Sequence, residues 1–345
     1  MTSTHLPPRV TPDERPLLVG DVGGTKSMLA FVVRRGARVE LTNESIYPSR
    51  RYEGLAPLLA EYRARHGAPA LAGACFSVAG PVRDGRTWFP NLRWELDEAS
   101  LRVALGVADV RLVNDLQATA HAIAHRAPDQ LHTLQEGTID PRGVRAVIAV
   151  GTGLGEAMLV PDASGWRAWP SEGGHTDFAP TDPLQRDLLA FLAEELGQVS
   201  YERVCSGQGI FNIYRFLRAT SGEPEPAWLT ARLADAEDPT PVVVEAALSN
   251  TARCATCRRA LETLAAILGG AAGNLALRTL ATGGVYVGGG IPPRLLPVLR
   301  EGAFLAAFRR KGVMSELVSR VPVHIILAPR TALLGAAHYA LAMSE

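Results

Sequence analysis

Lysine is nearly missing from this chain: Lys26 and Lys311 are the only two among 345 residues. Few candidates therefore remain for a Schiff base or a phosphate-gripping lysine, and arginine carries nearly all the positive charge. Cysteine is sparse as well. Cys75, Cys205, Cys254 and Cys257 are too few for a disulfide scaffold and suit a reducing cytoplasm. Net charge is absent, because 35 basic residues balance 35 acidic ones with no long run of one sign. That excludes the usual electrostatic footprint of nucleic-acid or membrane-surface binding and leaves a small molecule as the expected partner. No stretch of about eighteen uncharged apolar residues occurs, which argues against a transmembrane helix. Met1 to Pro16 holds four prolines and no apolar core, so it reads as a loose tail, neither signal peptide nor anchor.

What is present is a globular composition, 47% hydrophobic, in a chain long enough for two domains. Asn114-Asp115 stands where the apolar stretch from Ala108 to Val113 gives way to the alanine-rich stretch Leu116 to Ala124. Such a change of pattern reads as strand then helix. The carboxyl end of a strand in an open α/β sheet is where ligands bind, so Asp115 is a candidate catalytic carboxylate. An ordinary helix N-cap, which Asp and Asn both favour, is the competing reading.

Two glycine hairpins frame this junction. Leu17 to Val33 carries Asp21-Val-Gly-Gly-Thr25 and nearly matches a Walker A loop. Thr25 occupies the second glycine's place, however, and a strand-like run to a Gly36 turn follows where a P-loop needs a helix. The segment reads as strand, glycine turn, strand. Gly23, Gly24 and Thr25 could let backbone N–H groups approach phosphate, while Asp21 could hold Mg²⁺ directly or through water. A plain hairpin turn is the alternative. Ala146 to Val160 repeats the pattern with Gly151, Thr152, Gly153 and Gly155, whose spacing is not that of a dinucleotide fingerprint. Two such halves facing each other would set two phosphate grips across one cleft.

Polar groups with little packing purpose lie nearby in sequence. Glu172 and His175 sit in a stretch that its glycines are expected to keep flexible, and Glu202 stands where a helix after Gly197 is expected to begin. Glu202 can equally be a favourable charge at a helix start, and His175 a locally bonded loop histidine. Arg83 to Trp94 reads as a turn-rich loop whose Asn91 could touch a ligand or close its own Asx-turn. Cys257 to Leu280 reads as a long helix broken at Gly269-Gly270, followed by a strand and a third glycine turn at Gly288, Gly289 and Gly290, where a flat ring could lie against the backbone. Cys254-x-x-Cys257 lacks a second pair at zinc spacing, and the His121/His125 pair lacks a third ligand.

Taken together and in this order, Asp21-Val-Gly-Gly-Thr25, Asn114-Asp115, Gly151-Thr-Gly-Leu-Gly155, Glu172-Gly-Gly-His175, Glu202-Arg-Val-x-Ser-Gly207 and Gly288-Gly-Gly290 resemble the bacterial glucokinases. These belong to the hexokinase/sugar-kinase branch of the actin-like ATPase superfamily. The resemblance runs from about Leu17 to the C-terminal helix and leaves the N-terminal tail outside.

It implies an α/β, two-lobed actin-like ATPase (ribonuclease H-like) fold, each lobe a mixed sheet flanked by helices with the cleft between lobes. Residues 17–125 plus 328–345 would form the small domain and residues 126–327 the large one. It implies a glucokinase that moves the γ-phosphoryl of MgATP to the 6-hydroxyl of D-glucose, with ATP and Mg²⁺ as cofactors, in a cytoplasmic homodimer. Asp115 would be the catalytic base, and Asn114, Glu172, His175 and Glu202 would meet the sugar, to which the loop residue Asn91 is added as a candidate from its position. The first two glycine turns would grip phosphate and the third would lie near adenosine. One departure is Lys26, where close glucokinases usually carry Asn. Gly-Gly-Thr-Lys is more usual in the repressor/open-reading-frame/kinase (ROK) group, whose Cys-rich zinc motif is missing here. A ROK-like kinase for another hexose or an N-acetylhexosamine, or a non-catalytic sugar sensor, are the alternatives.

Overall fold

The computed structural model describes residues 15–35, 38–89, 91–124, 130–163, 165–251, 254–328 and 330–343. The body of the N-terminal tail, the Gly36 turn and His125 lie outside the described residues. Internal packing divides the chain into two compact units, residues 1–126 with 330–345 and residues 127–329.

The first unit begins with a hairpin, β1 (Leu17–Val22) and β2 (Lys26–Arg35), and continues through β3 (Arg38–Pro48) and α1 (Leu55–Arg65) to β4 (Gly73–Val78). A short hairpin of β5 (Arg86–Phe89) and β6 (Trp94–Asp97) leads into α2 (Glu98–Leu105), β7 (Val110–Asn114) and α3 (Asp115–Ala124). Its main sheet has the order β3-β2-β1-β4-β7. β1, β4 and β7 run parallel, and β1 and β4 are almost wholly buried, which is why both read as unbroken apolar runs. On α1, Leu55, Leu58, Leu59 and Tyr62 are buried at helical spacing, packing with Phe31 and Phe76 against one face of the sheet.

Two departures from the expected pattern appear here. β3 is a strand that the sequence hardly advertises, because it is charged and polar, as an edge strand can be. The stretch expected to be a loop around Asn91 contains β5 and β6, whose Thr87, Phe89, Trp94 and Leu96 are buried in alternation.

The second unit is built on a six-stranded sheet of order β11-β10-β9-β12-β13-β8. Its strands are β8 (Leu131–Gln135), β9 (Arg145–Val150), β10 (Leu154–Asp162), β11 (Gly165–Ser171), β12 (Val285–Gly288) and β13 (Val323–Ile326). The helices are α4 (Pro183–Leu196), α5 (Gly207–Thr220), α6 (Ala227–Ala234), α7 (Pro239–Leu248), α8 (Ala255–Thr279), α9 (Leu296–Leu299), α10 (Ala303–Arg309) and α11 (Ser315–Ser319). The chain then returns to the first unit as α12 (Thr331–Met343), whose Leu333, Ala336 and Ala337 pack with Val19, Val113 and Ala118.

The break expected at Gly269-Gly270 does not occur: α8 is one continuous helix. A Cβ on Gly269 would collide with the backbone of Phe304, so this glycine lets α10 pack closely against an unbroken α8. Among the described residues α8 is the one helix long and apolar enough to cross a membrane, and most of its apolar window is buried inside the unit.

Candidate active site

In the first unit the register of three parallel strands assembles the site. Asp21 pairs with Ser77, and Val78 pairs with Asn114. The turn after β1, the Gly80 loop and the Asn114-Asp115 junction therefore emerge at the same carboxyl edge, where an open α/β sheet binds ligands.

Of the two residues that the sequence offers as a helix cap, Asn114 takes that role. Asn114 is the cap: its Oδ1 accepts from the N–H groups of Leu116 at 3.0 Å and Gln117 at 3.2 Å, and its Nδ2 donates to the Gly80 carbonyl at 3.1 Å. Asp115 opens α3, half-buried, and its Oδ1 accepts from the Leu116 N–H at 2.8 Å. With capping assigned to Asn114, the Asp115 carboxylate stands in the first turn of α3. Among the bonds of the described residues, Asn114 keeps one amide N–H for any other partner. Asn91 is exposed in the turn joining β5 and β6, outside this hydrogen-bonded group.

The first glycine turn is held by residues that sequence reading missed. Gly23 N–H donates to the Lys26 carbonyl at 3.1 Å, and Ser49 N–H to that of Thr25 at 3.0 Å. The Ser49 hydroxyl donates to the Gly23 carbonyl at 2.7 Å and lies 2.9 Å from that of Ser27. Among the described residues, and apart from its two chain neighbours, no atom stands within 4 Å of a Cβ placed on Gly24, so a phosphate can approach that face. Asp21 accepts from Ser77 Oγ at 3.2 Å. Burial pushes its carboxyl above the ordinary range, against the opposing pull of Ser77 and Lys26. A carboxylate so poorly compensated fits a cation, and one carboxylate suits magnesium, which keeps several waters and binds substrate phosphates. Among the described residues no group of three His, Cys, Asp or Glu side chains is placed to hold a metal.

In the second unit the candidate sugar ligands come together. His175 Nδ1 lies 3.9 Å from Glu202 Oε1, and its Nε2 lies 4.0 Å from Glu172 Oε2. Glu202 is not at the start of a regular helix as expected. It sits in a single 3₁₀ turn (Tyr201–Arg203), and α5 begins at Gly207 with Ser206 as its cap. Its carboxylate instead reaches the second hairpin, where Oε2 accepts from the Leu154 N–H at 2.9 Å. The loop from Glu172 is not kept flexible by its glycines either. Gly173–His175 form a 3₁₀ turn with both glycines buried, because a Cβ on Gly173 would strike the Glu156 carboxylate and one on Gly174 the Leu154 carbonyl.

The second glycine hairpin turns at Gly151, Thr152 and Gly153, with Gly155 already inside β10 and paired with Ala149. Gly151 N–H donates to the Gly153 carbonyl, and the Gly151 carbonyl accepts from Gly207 N–H, both at 2.9 Å. The N-terminus of α5 thus abuts the turn, a pairing suited to an anion. β12 runs parallel to β9 with Gly288 opposite Ala149, so the Gly288 to Gly290 turn emerges beside it. Gly289 has φ +92°, and a Cβ there would strike the Val150 backbone.

Cys254 caps α8, its Sγ accepting from Cys257 N–H at 3.4 Å. Both thiols are buried, and burial pushes that of Cys257 up. His121 packs its ring edgewise on Tyr339 at 5.0 Å. Beyond Ser27, Ser49 and Ser77, sequence reading overlooked Glu156, whose only signal is a carboxylate within an otherwise apolar stretch of β10.

The family model for glucokinase matches residues 18–343. The chain belongs to the glucokinase family. Among glucokinase relatives, that of Synechocystis is 38% identical over 342 residues, covering 93% of this chain and 96% of that protein. The crystal structure of a glucokinase from an Antarctic psychrotroph superimposes with a TM-score of 0.79 at 31% identity, covering 94% of this chain and 98% of that one. A ROK family glucokinase from Streptomyces griseus, in complex with glucose and AMPPNP, shares the fold at a TM-score of 0.65 and 19% identity, covering 93% and 98%. The glucokinase fold here is that of the actin-like ATPases, a mixed sheet flanked by helices in each unit.

Proposed function

We propose that this chain is a glucokinase that transfers the γ-phosphoryl of ATP to the 6-hydroxyl of D-glucose, giving glucose 6-phosphate and ADP, the first step of glucose catabolism. The observation that carries the reading is the trio Glu172, His175 and Glu202. Two carboxylates flanking an imidazole offer acceptors and a donor to a ring of sugar hydroxyls. A site built on such bonds rejects an analogue lacking a hydroxyl, by about 10⁴ in favourable cases, because its polar groups are left unpaired.

Phosphoryl transfer is mostly positioning and charge stabilisation. Asp115 accepts the 6-hydroxyl proton as the phosphoryl moves, and Asn114 and Asn91 offer amides to the sugar. Gly23, Gly24 and Thr25, and Gly151, Thr152, Gly153 and Gly155, supply the two phosphate grips. Gly288, Gly289 and Gly290 lie near adenosine. Asp21 would hold Mg²⁺, which when bound neutralises charge on the phosphate oxygens. The four buried free thiols suit a cytoplasmic protein, and the resemblance adds a homodimer.

The test is ADP release by purified protein with MgATP and, separately, glucose, mannose, fructose, N-acetylglucosamine or N-acetylmannosamine. Release with glucose alone is expected. Release with another sugar only would move specificity to the ROK-like alternative, which Lys26 favours, and silence with every sugar, with polyphosphate as donor as well as ATP, would overturn the kinase reading in favour of the sugar sensor.

A further inference from the structure

The loop that carries Glu172 and His175 rests on a buried charge outside the proposed chemistry. Glu156 is 3% exposed on β10, and its two oxygens lie 3.3 and 3.4 Å from Arg278 Nη2 on α8. Burial pushes its carboxyl upward while Arg278 pulls it back. Opposite Glu156 across the strand pair stands Ser171, whose Oγ accepts from the Gly173 N–H at 3.0 Å. Gly173 rests directly on the Glu156 carboxylate, leaving no space for a Cβ between them. Two residues earlier on the same strand, Leu154 gives its N–H to Glu202 and its carbonyl backs Gly174. The first three residues of β10 therefore touch the support of all three proposed sugar ligands.

A buried ion pair is a weak source of stability, since an apolar residue of similar volume is often no worse. What the pair adds is a fixed direction for a planar group beneath a backbone. We propose that Glu156 and Arg278 are positioning residues for the sugar site: Arg278 orients the Glu156 carboxylate, which sets where Gly173 seats and hence the spacing of Glu172 and His175 from Glu202. This rests on reading the trio as the glucose site.

Steady-state kinetics on the full chain test it with Glu156→Met, Arg278→Ala and Arg278→Lys. Glu156→Met keeps volume and removes the pair, so its melting temperature is expected to hold or rise while glucose KM rises about tenfold and kcat and ATP KM stay within about twofold. Arg278→Ala is expected to raise glucose KM alike, Arg278→Lys to restore it, and the double Glu156→Met/Arg278→Ala to be no worse than Glu156→Met alone. An unchanged glucose KM in both single variants, a loss of kcat at constant KM, or additive losses in the double would overturn the proposal. Should Glu156→Met unfold, the Ala and Lys variants of Arg278, whose side chain is 47% exposed, decide it between them. A wild-type protein inactive on glucose strikes the reading of the site, whereas an active wild type with indifferent variants strikes only this pair.

Discussion

Replacing Asp115 by Asn tests the proposed general base while leaving the cap of α3 in place. The N-cap of α3 is Asn114, which accepts from two N–H groups and ties to Gly80. Asp115 accepts from the Leu116 N–H, and an asparagine oxygen can keep that bond. What Asp115→Asn removes is a negative charge at a helix N-terminus, costing about 0.3–1 kcal/mol, which lowers the melting temperature by less than about 4 °C in a unit of this size. Loss of a positioned general base costs about 10² to 10⁴ in kcat, equivalent to about 2.7–5.5 kcal/mol of transition-state stabilisation. Coupled ADP release measures kcat, glucose titration by intrinsic fluorescence measures binding, and a thermal melt follows the fold. The expected result is a kcat down by two to four decades with glucose affinity retained and the melt nearly unmoved. A kcat within about threefold of wild type would refute the assignment, and so would a kcat loss that merely follows a collapse in melting temperature.

Glu202 belongs to the proposed sugar site and bonds to the second hairpin, so its two replacements should differ. Glu202→Gln can keep an oxygen on Leu154 N–H and is expected to raise glucose KM alone, whereas Glu202→Ala should raise the KM of ATP as well; equal ATP KM values would show that the bond to Leu154 does not steady the turn. Gly289→Ala forces an L side chain into φ +92° against the Val150 backbone, and a loss of about 1–3 kcal/mol in thermal unfolding is expected, with ATP KM rising more than glucose KM. Lys311 is half-buried just past the end of α10, where its Nζ donates to the Gly270 carbonyl at 2.8 Å and Asn274 Oδ1 at 2.7 Å, and burial with Arg310 and Arg278 lowers its pKa to about 8. Because the unfolded chain holds that proton to higher pH, this residue's contribution to stability grows as pH rises from about 8 to about 10.4. The melting-temperature difference between wild type and Lys311→Met should therefore shift in favour of wild type over that window, and a difference independent of pH would remove the linkage.

The elements legible in the sequence are those whose pattern has a single physical cause. β1, β4 and β9 are buried and read as apolar runs, and the residues following the glycine turns are strand formers, a pattern incompatible with the helix that a P-loop requires. β3 was hidden because an edge strand with charged residues has no apolar period to read. The glycines misled in a consistent way. Gly269, Gly173 and Gly174 suggested a break and a mobile loop, yet each marks a place where another backbone or a carboxylate comes too close for a Cβ. Sequence alone offers no means of telling these uses apart, since the partner in each case is fixed by the folded packing and not by local pattern.

The same limit explains the site. Glu172, His175 and Glu202 stood out as polar residues with little packing purpose, but Ser49, which holds the first turn, looks like an ordinary surface residue, and Glu156, whose carboxylate lies under Gly173, shows only as a charge in an apolar stretch. The two glycine hairpins share a pattern and are stabilised differently. Ser49 fixes the first through two backbone groups, and the second is fixed by Glu202 and by the α5 N-terminus. The second turn is thus bonded to Glu202, a proposed sugar ligand whose other oxygen faces His175, so a shift in the carboxylate reaches the turn through one hydrogen bond. Within this unit, the proposed sugar site and the proposed phosphate turn share the Glu202 side chain, a coupling that no spacing in the sequence encodes.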